Sequence, residues 1–173
     1  MAKPLTIYKL IVLYMLDRVS FPMTNDQISE YILTKGYMDY FKLQQTISEL
    51  IDTELVKAEL IRNNTYYTIV PKGREVCHYF QSKISAEIRH DIKQYIKDNE
   101  YELREEVSVL SSYYKTVEAE YMVECVVKEQ GEDLVKLALR VSTEEQANTI
   151  CNNWKDKSSD VYAVLVNTLL TDN

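Results

Sequence analysis

The chain has 173 residues, 46% of them hydrophobic, with only three glycines and three prolines, which suits a folded core and excludes long disordered linkers. No apolar run approaches the roughly 18 residues that a membrane span needs, and no small-residue cleavage site follows the short apolar segment near the N-terminus, so a soluble cytoplasmic protein without membrane contact is expected. The net charge of −7 lies wholly in the second half: residues 1–82 carry nine basic and nine acidic side chains, residues 83–173 carry 11 and 18.

The first element reads as a helix from Pro4 or Leu5 to Arg18, because Leu5, Tyr8, Ile11, Val12, Met15 and Leu16 recur at helical spacing. Pro4 suits a first helical turn, where its missing N–H costs nothing. Phe21-Pro22 breaks the chain. Thr24 then caps a second helix with Gln27 three residues on, the pattern of a capping box. That helix runs to about Thr34, and Gly36 is placed to end it in the left-handed conformation. Asp39 caps a third helix whose apolar stripe is Leu43, Ile47, Leu50 and Ile51. Rotation by 100° per residue puts Phe41, Gln45, Ser48 and Asp52 opposite that stripe, with Lys42 and Gln44 at its margins. Gln and Ser on an outer helix face suit contacts with base edges, although solvated surface residues would look the same.

Two strands follow, Val56 to Ile61 and Tyr66 to Val70, with Arg62-Asn63-Asn64-Thr65 as the turn between them. Arg62 at the tip is placed to reach a phosphate or a minor groove. After Pro71 a short helix carries Val76, Tyr79 and Phe80. A long helical pattern from about Ser85 to Glu105 has no Gly or Pro, and is expected to bridge two domains or to pack against a copy of itself. From Val107 the pattern turns to β-branched and aromatic residues. Three strands are expected, the last two joined at Gln130-Gly131-Glu132-Asp133. Ser142 or Thr143 then caps a helix holding Ala147, Ile150, Cys151 and Trp154. Lys157-Ser158-Ser159-Asp160 is expected to end that helix, and Val161 to Leu169 to form a final strand.

The chemistry of an enzyme is not visible. Three glycines cannot build a phosphate loop, neither histidine sits in a triad or metal pattern, and Cys77, Cys125 and Cys151 read as free thiols. No catalytic residue, cofactor or metal is expected.

The order helix, turn, helix, hairpin, together with Leu50-Ile51, Leu55-Val56 and Val70-Pro71-Lys72-Gly73-Arg74-Glu75, resembles the winged-helix regulators of bacteria. Over nearly its full length the chain is also similar to a family of Gram-positive proteins, a domain of unknown function described as candidate DNA-binding regulators. The elements read along the chain give an expected α+β chain in three parts: a winged helix-turn-helix over 1–82, a connecting helix over 83–106, and a C-terminal antiparallel sheet with one packed helix over 107–173. With the winged-helix resemblance, the expected function is a transcriptional regulator that binds double-stranded DNA as a homodimer. Gln44, Gln45 and Ser48 would approach bases, and Lys42, Lys57 and Arg62 would hold phosphates. The C-terminal part would dimerise, sense a small-molecule effector, or both. The rival reading is a winged helix used as a protein-binding scaffold.

Overall fold

Helix α1, Ile7–Asp17, is apolar apart from Lys9 and Asp17, and Leu10 through Leu16 are all buried without interruption. A helix of that composition belongs inside a core, with other elements wrapped around it. In the computed structural model, which describes residues 4–61 and 64–172, those elements come from the first 104 residues. They are β1 (Met23–Thr24), α2 (Asn25–Lys35), α3 (Tyr40–Asp52), β2 (Val56–Ile61), β3 (Asn64–Ile69), α4 (Pro71–Phe80), a 3-10 turn (Gln81–Lys83) and α5 (Ala86–Ser108). The strands form one antiparallel sheet in the order β1-β3-β2, with Met23 opposite Tyr67 and Val56 opposite Ile69.

Local signals explain most of the boundaries. Thr24 and Gln27 form the expected capping box at the start of α2, and Gly36 closes that helix at φ 72°. Asp39 accepts from the Lys42 amide at 2.7 Å and starts α3. The start of α1 differs from expectation: Thr6, not Pro4, is its cap, accepting from the Lys9 amide at 3.3 Å. Pro4 instead lies before the helix, and its carbonyl accepts from the buried Lys9 ammonium at 2.6 Å. Lys9 also pairs with Glu49 at 3.1 Å, which ties α1 to α3.

A second tie is ionic. Asp17, whose side chain is 2% exposed, receives Arg18 at 2.7 Å, Arg74 at 2.8 Å and His78 at 2.9 Å, joining the end of α1 to α4. Burial alone would raise the Asp17 pKa, but the hydrogen bonds from Arg18, His78 and Arg74 outweigh it and hold the carboxyl below its ordinary value. At the base of the hairpin, Gly73 lies so close to the chain at Leu55 that a Cβ would sit 2.2 Å from the Leu55 carbonyl oxygen. That approach accounts for the glycine in the Val70–Glu75 segment.

The expected connecting helix over 83–106 corresponds to the 3-10 turn and α5, which runs on to Ser108. Ile84, Ile92, Ile96 and Leu103 belong to the same core as α1, and the chain divides into compact units at Arg104 and Glu105.

The second unit has β4 (Val109–Lys115), β5 (Tyr121–Glu129), β6 (Glu132–Val141) and α6 (Glu144–Leu170). Its antiparallel sheet runs β4-β5-β6. Gln130 at φ 53° and Gly131 at φ 81° make the tight turn between β5 and β6, as a two-residue hairpin of that hand requires. Val123, Cys125, Ala147 and Trp154 are its buried centre, and the Trp154 indole donates to the Val126 carbonyl at 3.2 Å. Thr143 and Gln146 form a second capping box. The expected final strand over Val161–Leu169 is overturned: α6 continues unbroken to Leu170. Ser158, expected to help end the helix, is buried one turn beyond Trp154 and keeps the helical stripe in phase. The architecture is therefore α+β, with six α-helices and two three-stranded antiparallel sheets among the described residues. No described helix is long and apolar enough to cross a membrane.

Candidate functional site

Helix α3 is held by one face and leaves the other bare. Leu43, Thr46, Ile47 and Leu50 are buried, and the Thr46 hydroxyl turns back to the Lys42 carbonyl at 2.7 Å. Phe41, Lys42, Gln45 and Ser48 are exposed. Phe41 is 82% exposed, in edge contact with Tyr40 at 5.9 Å between ring centroids. With Tyr40, itself 49% exposed, it makes a small aromatic patch at the start of α3.

The six residues singled out from the sequence fare differently. Lys42, Gln45 and Ser48 share the open side of α3. The Lys42 ammonium also stands over the Tyr8 ring, 5.4 Å from its centroid. Gln44 is half-buried, and its amide donates to the Asn25 carbonyl oxygen at 3.1 Å, so it braces α3 against the start of α2. Lys57 is exposed on β2, paired in register with Thr68. Arg62 lies outside the described residues. Two residues were missed as candidates. Phe41 was visible as an aromatic on the polar face, whereas Asn25 meets Gln44 across 19 positions and gives no local signal.

Around Gln44 lies a polar recess of about 250 Å³, lined by Thr24, Asn25, Asp26, Asn64, Thr65 and Tyr67. It joins the start of α2, the side of α3 and the described end of the hairpin. A wider groove of about 390 Å³ runs between α2 and α5 over the stacked rings of Tyr31 and Tyr95, whose centroids are 4.3 Å apart. Burial and the hydroxyl of Tyr37 at 3.2 Å push the Tyr31 phenol pKa upward, so it stays neutral.

Cys77 is buried, and burial pushes its pKa up to about 11, away from a reactive thiolate. Cys125 is buried and Cys151 half-buried. No group of three or more His, Cys, Asp or Glu residues suited to a metal occurs among the described residues.

The model of a family described as "Domain of unknown function (DUF4364)" matches residues 8–169. Neither the curated proteins nor the solved structures include a significant match to the chain.

Proposed function

The chain belongs to the DUF4364 family, a domain of unknown function, and from that premise we propose that it is a cytoplasmic DNA-binding transcriptional regulator of the winged helix-turn-helix type, acting as a homodimer. In this reading α2, the turn through Gly36 to Asp39, and α3 are the helix-turn-helix, and β2–β3 with β1 alongside are the wing. The observation that carries it is the bare outer face of α3, where Phe41, Lys42, Gln45 and Ser48 stand clear of the core that fixes the opposite face.

On that face Gln45 would pair with an adenine edge and Ser48 would accept or donate beside it. Lys42 and Lys57 would neutralise phosphates, together with Arg62. Gln44 keeps a supporting role through Asn25. The first 82 residues are charge-neutral, so nonspecific attraction is small, and two half-sites held by a dimer would supply the missing affinity.

Fluorescence anisotropy with genomic fragments at rising salt tests the reading. Affinity should fall linearly on logarithmic axes, and Lys42→Ala should flatten the slope by about one while weakening all sequences alike. Gln45→Ala should instead blunt preference at one base step by about 1–3 kcal/mol. If no fragment binds with salt-sensitive affinity, the regulator reading fails.

A second reading has its own support: Phe41, Tyr40 and Leu60 are exposed apolar residues, and the chain is acidic overall. A protein partner that covers Phe41 would make α3 a docking helix. Its affinity would be insensitive to salt and abolished by Phe41→Ala.

A further inference from the structure

Helix α6 is longer than the sheet it covers. Its 27 residues span about 40 Å at 1.5 Å per residue. The strands beneath it have 7, 9 and 10 residues and reach only about 23–33 Å at roughly 3.3 Å each. The sheet-facing stripe runs through Ala147, Ile150, Cys151, Trp154, Ser158 and Val161, at the three-and-four spacing of one helix face. Continued at the same spacing, that stripe reaches Leu165 and Leu169. Ala147, Trp154 and Ser158 are buried, yet Leu165 is 38% exposed and Leu169 is 79% exposed. Val164 and Leu170 beside them are bare as well. The seam that packs α6 on its sheet therefore runs past the end of the sheet with its apolar character intact. From Val161 to Thr171 there is no charged residue.

From this overhang we infer that the last three turns of α6 are a self-association seam, and that its occupant is the same segment of a second copy, laid antiparallel. This deepens the dimer part of the proposed function and is independent of whether DNA is bound. A neutral apolar surface is its own complement, which a two-fold contact requires. Charge at the two ends of the seam sets the direction. A parallel pair would bring Lys157 to Lys157, Asp160 to Asp160 and Asp172 to Asp172. An antiparallel pair centred between Val164 and Leu165 brings Lys157 of each copy level with Asp172 of the other, and it also opposes the helix dipoles. An overhang of about three turns is shorter than the contact of a standard specific interface, which buries roughly 1,200–2,000 Å² in total, so a weak dimer with a dissociation constant in the micromolar range is expected.

The experiment is light scattering of the full chain across about 1–100 µM, the range that brackets a micromolar constant. The unaltered chain should approach twice 20.3 kDa as concentration rises. The variant Leu165→Glu/Leu169→Glu should weaken association at least tenfold, the scale of losing one buried anchor. Both sites are exposed, so far-ultraviolet circular dichroism should be unchanged. Lys157→Asp should weaken the dimer, and adding Asp172→Lys should restore it. If the double Glu variant remains as dimeric as the unaltered chain, the dimer reading stands but this seam is overturned. If the unaltered chain is a monomer throughout, with and without DNA, both are overturned. If the charge swap does not restore association, the antiparallel arrangement is overturned.

Discussion

Helices α1 and α6 show how differently the two units are built. The short helix, α1, is buried on all sides from Leu10 to Leu16, and α3, β3, α4 and the 3-10 turn pack against it. The long helix, α6, buries only Ala147, Trp154 and Ser158, and rests on its sheet by a single stripe. The first unit therefore has a centre that many elements share, while the second depends on one helix-to-sheet layer. A unit of roughly 70 residues with so thin a layer is marginal by itself, because small domains bury a smaller share of their surface. Two features of the protein then have one physical origin: the bare apolar end of α6 and the few buried residues beneath it both leave the second unit wanting a partner.

The sharpest way to break this contrast is Trp154→Ala. It removes the largest buried side chain of the second unit and leaves the Val126 carbonyl without its indole donor. A loss of about 3–5 kcal/mol is expected, enough to unfold a marginal unit. Hydrogen exchange should then show β4 to β6 losing protection while the amides of α1 keep theirs. If α1 loses protection to the same extent, the two units fold as one and the contrast is wrong.

The next effect belongs to the first unit. Asp17→Ala leaves Arg18 and Arg74 facing each other at the end of α1 without their common carboxylate. Because those cations are partly solvated, the expected loss is about 2–3 kcal/mol, below the roughly 3–5 kcal/mol for a fully buried pair. The sign of its pH dependence follows from the depressed carboxyl. Stability from Asp17 is fully present above the ordinary pKa of 3.8 and is lost as pH falls through the lower folded value. Urea melts of the unaltered chain should therefore weaken over that acid range, and Asp17→Asn should flatten the slope there.

Neither Trp154's partner nor the contacts of Asp17 with Arg74 and His78 could be read from the sequence, because they span 28 to 61 positions. What could be read was local. Thr24 with Gln27, Gly36 and Asp39 each act on backbone groups within a turn of themselves, and each does what its pattern implied. The same logic explains the failure at Val161–Leu169. Its β-branched residues have strand propensity, and no charged residue marks a solvent face, so the helical period was hidden. Only the burial of Ser158 in phase with Trp154 reveals that the helix goes on. At the candidate site, the helical period separated the inner from the outer face of α3 but could not show that Asn25 holds Gln44.

Gly73→Ala sharpens the comparison within the first unit. An alanine in a helix is ordinarily favoured over glycine by about 1 kcal/mol. Here the added methyl would meet the Leu55 carbonyl oxygen at 2.2 Å and Ile69 Cγ1 at 2.9 Å, so the backbone must move. The expected net result is a loss of about 1–3 kcal/mol, the range for overpacking a tight contact. A thermal melt that shows Gly73→Ala unchanged or stabilised would mean that α4 can shift off the hairpin base without cost, and that the core of this unit is looser than its burial implies.

The smallest expected difference compares the same device in both units. Gln27 and Gln146 each sit at the third position of a capping box and accept from the backbone N–H of the capping threonine, at 3.0 Å and 3.2 Å. Gln146 is exposed, so on truncation to Ala water replaces its oxygen at the Ser142 and Thr143 amides, and the cost should stay near 0.5 kcal/mol. Gln27 is buried, and its amide nitrogen also donates to the Leu103 carbonyl at 3.1 Å, joining the start of α2 to α5. Gln27→Ala therefore leaves the Thr24 amide short of a partner and removes a tie across 76 positions where water has little access, for an expected loss of about 1–3 kcal/mol. Chemical denaturation of the two variants side by side measures the difference. Equal losses would show that the Gln27–Leu103 bond adds nothing to stability, and that α5 is held on the first unit by apolar packing of Ile92, Ile96 and Leu103 and by the Tyr31–Tyr95 stack.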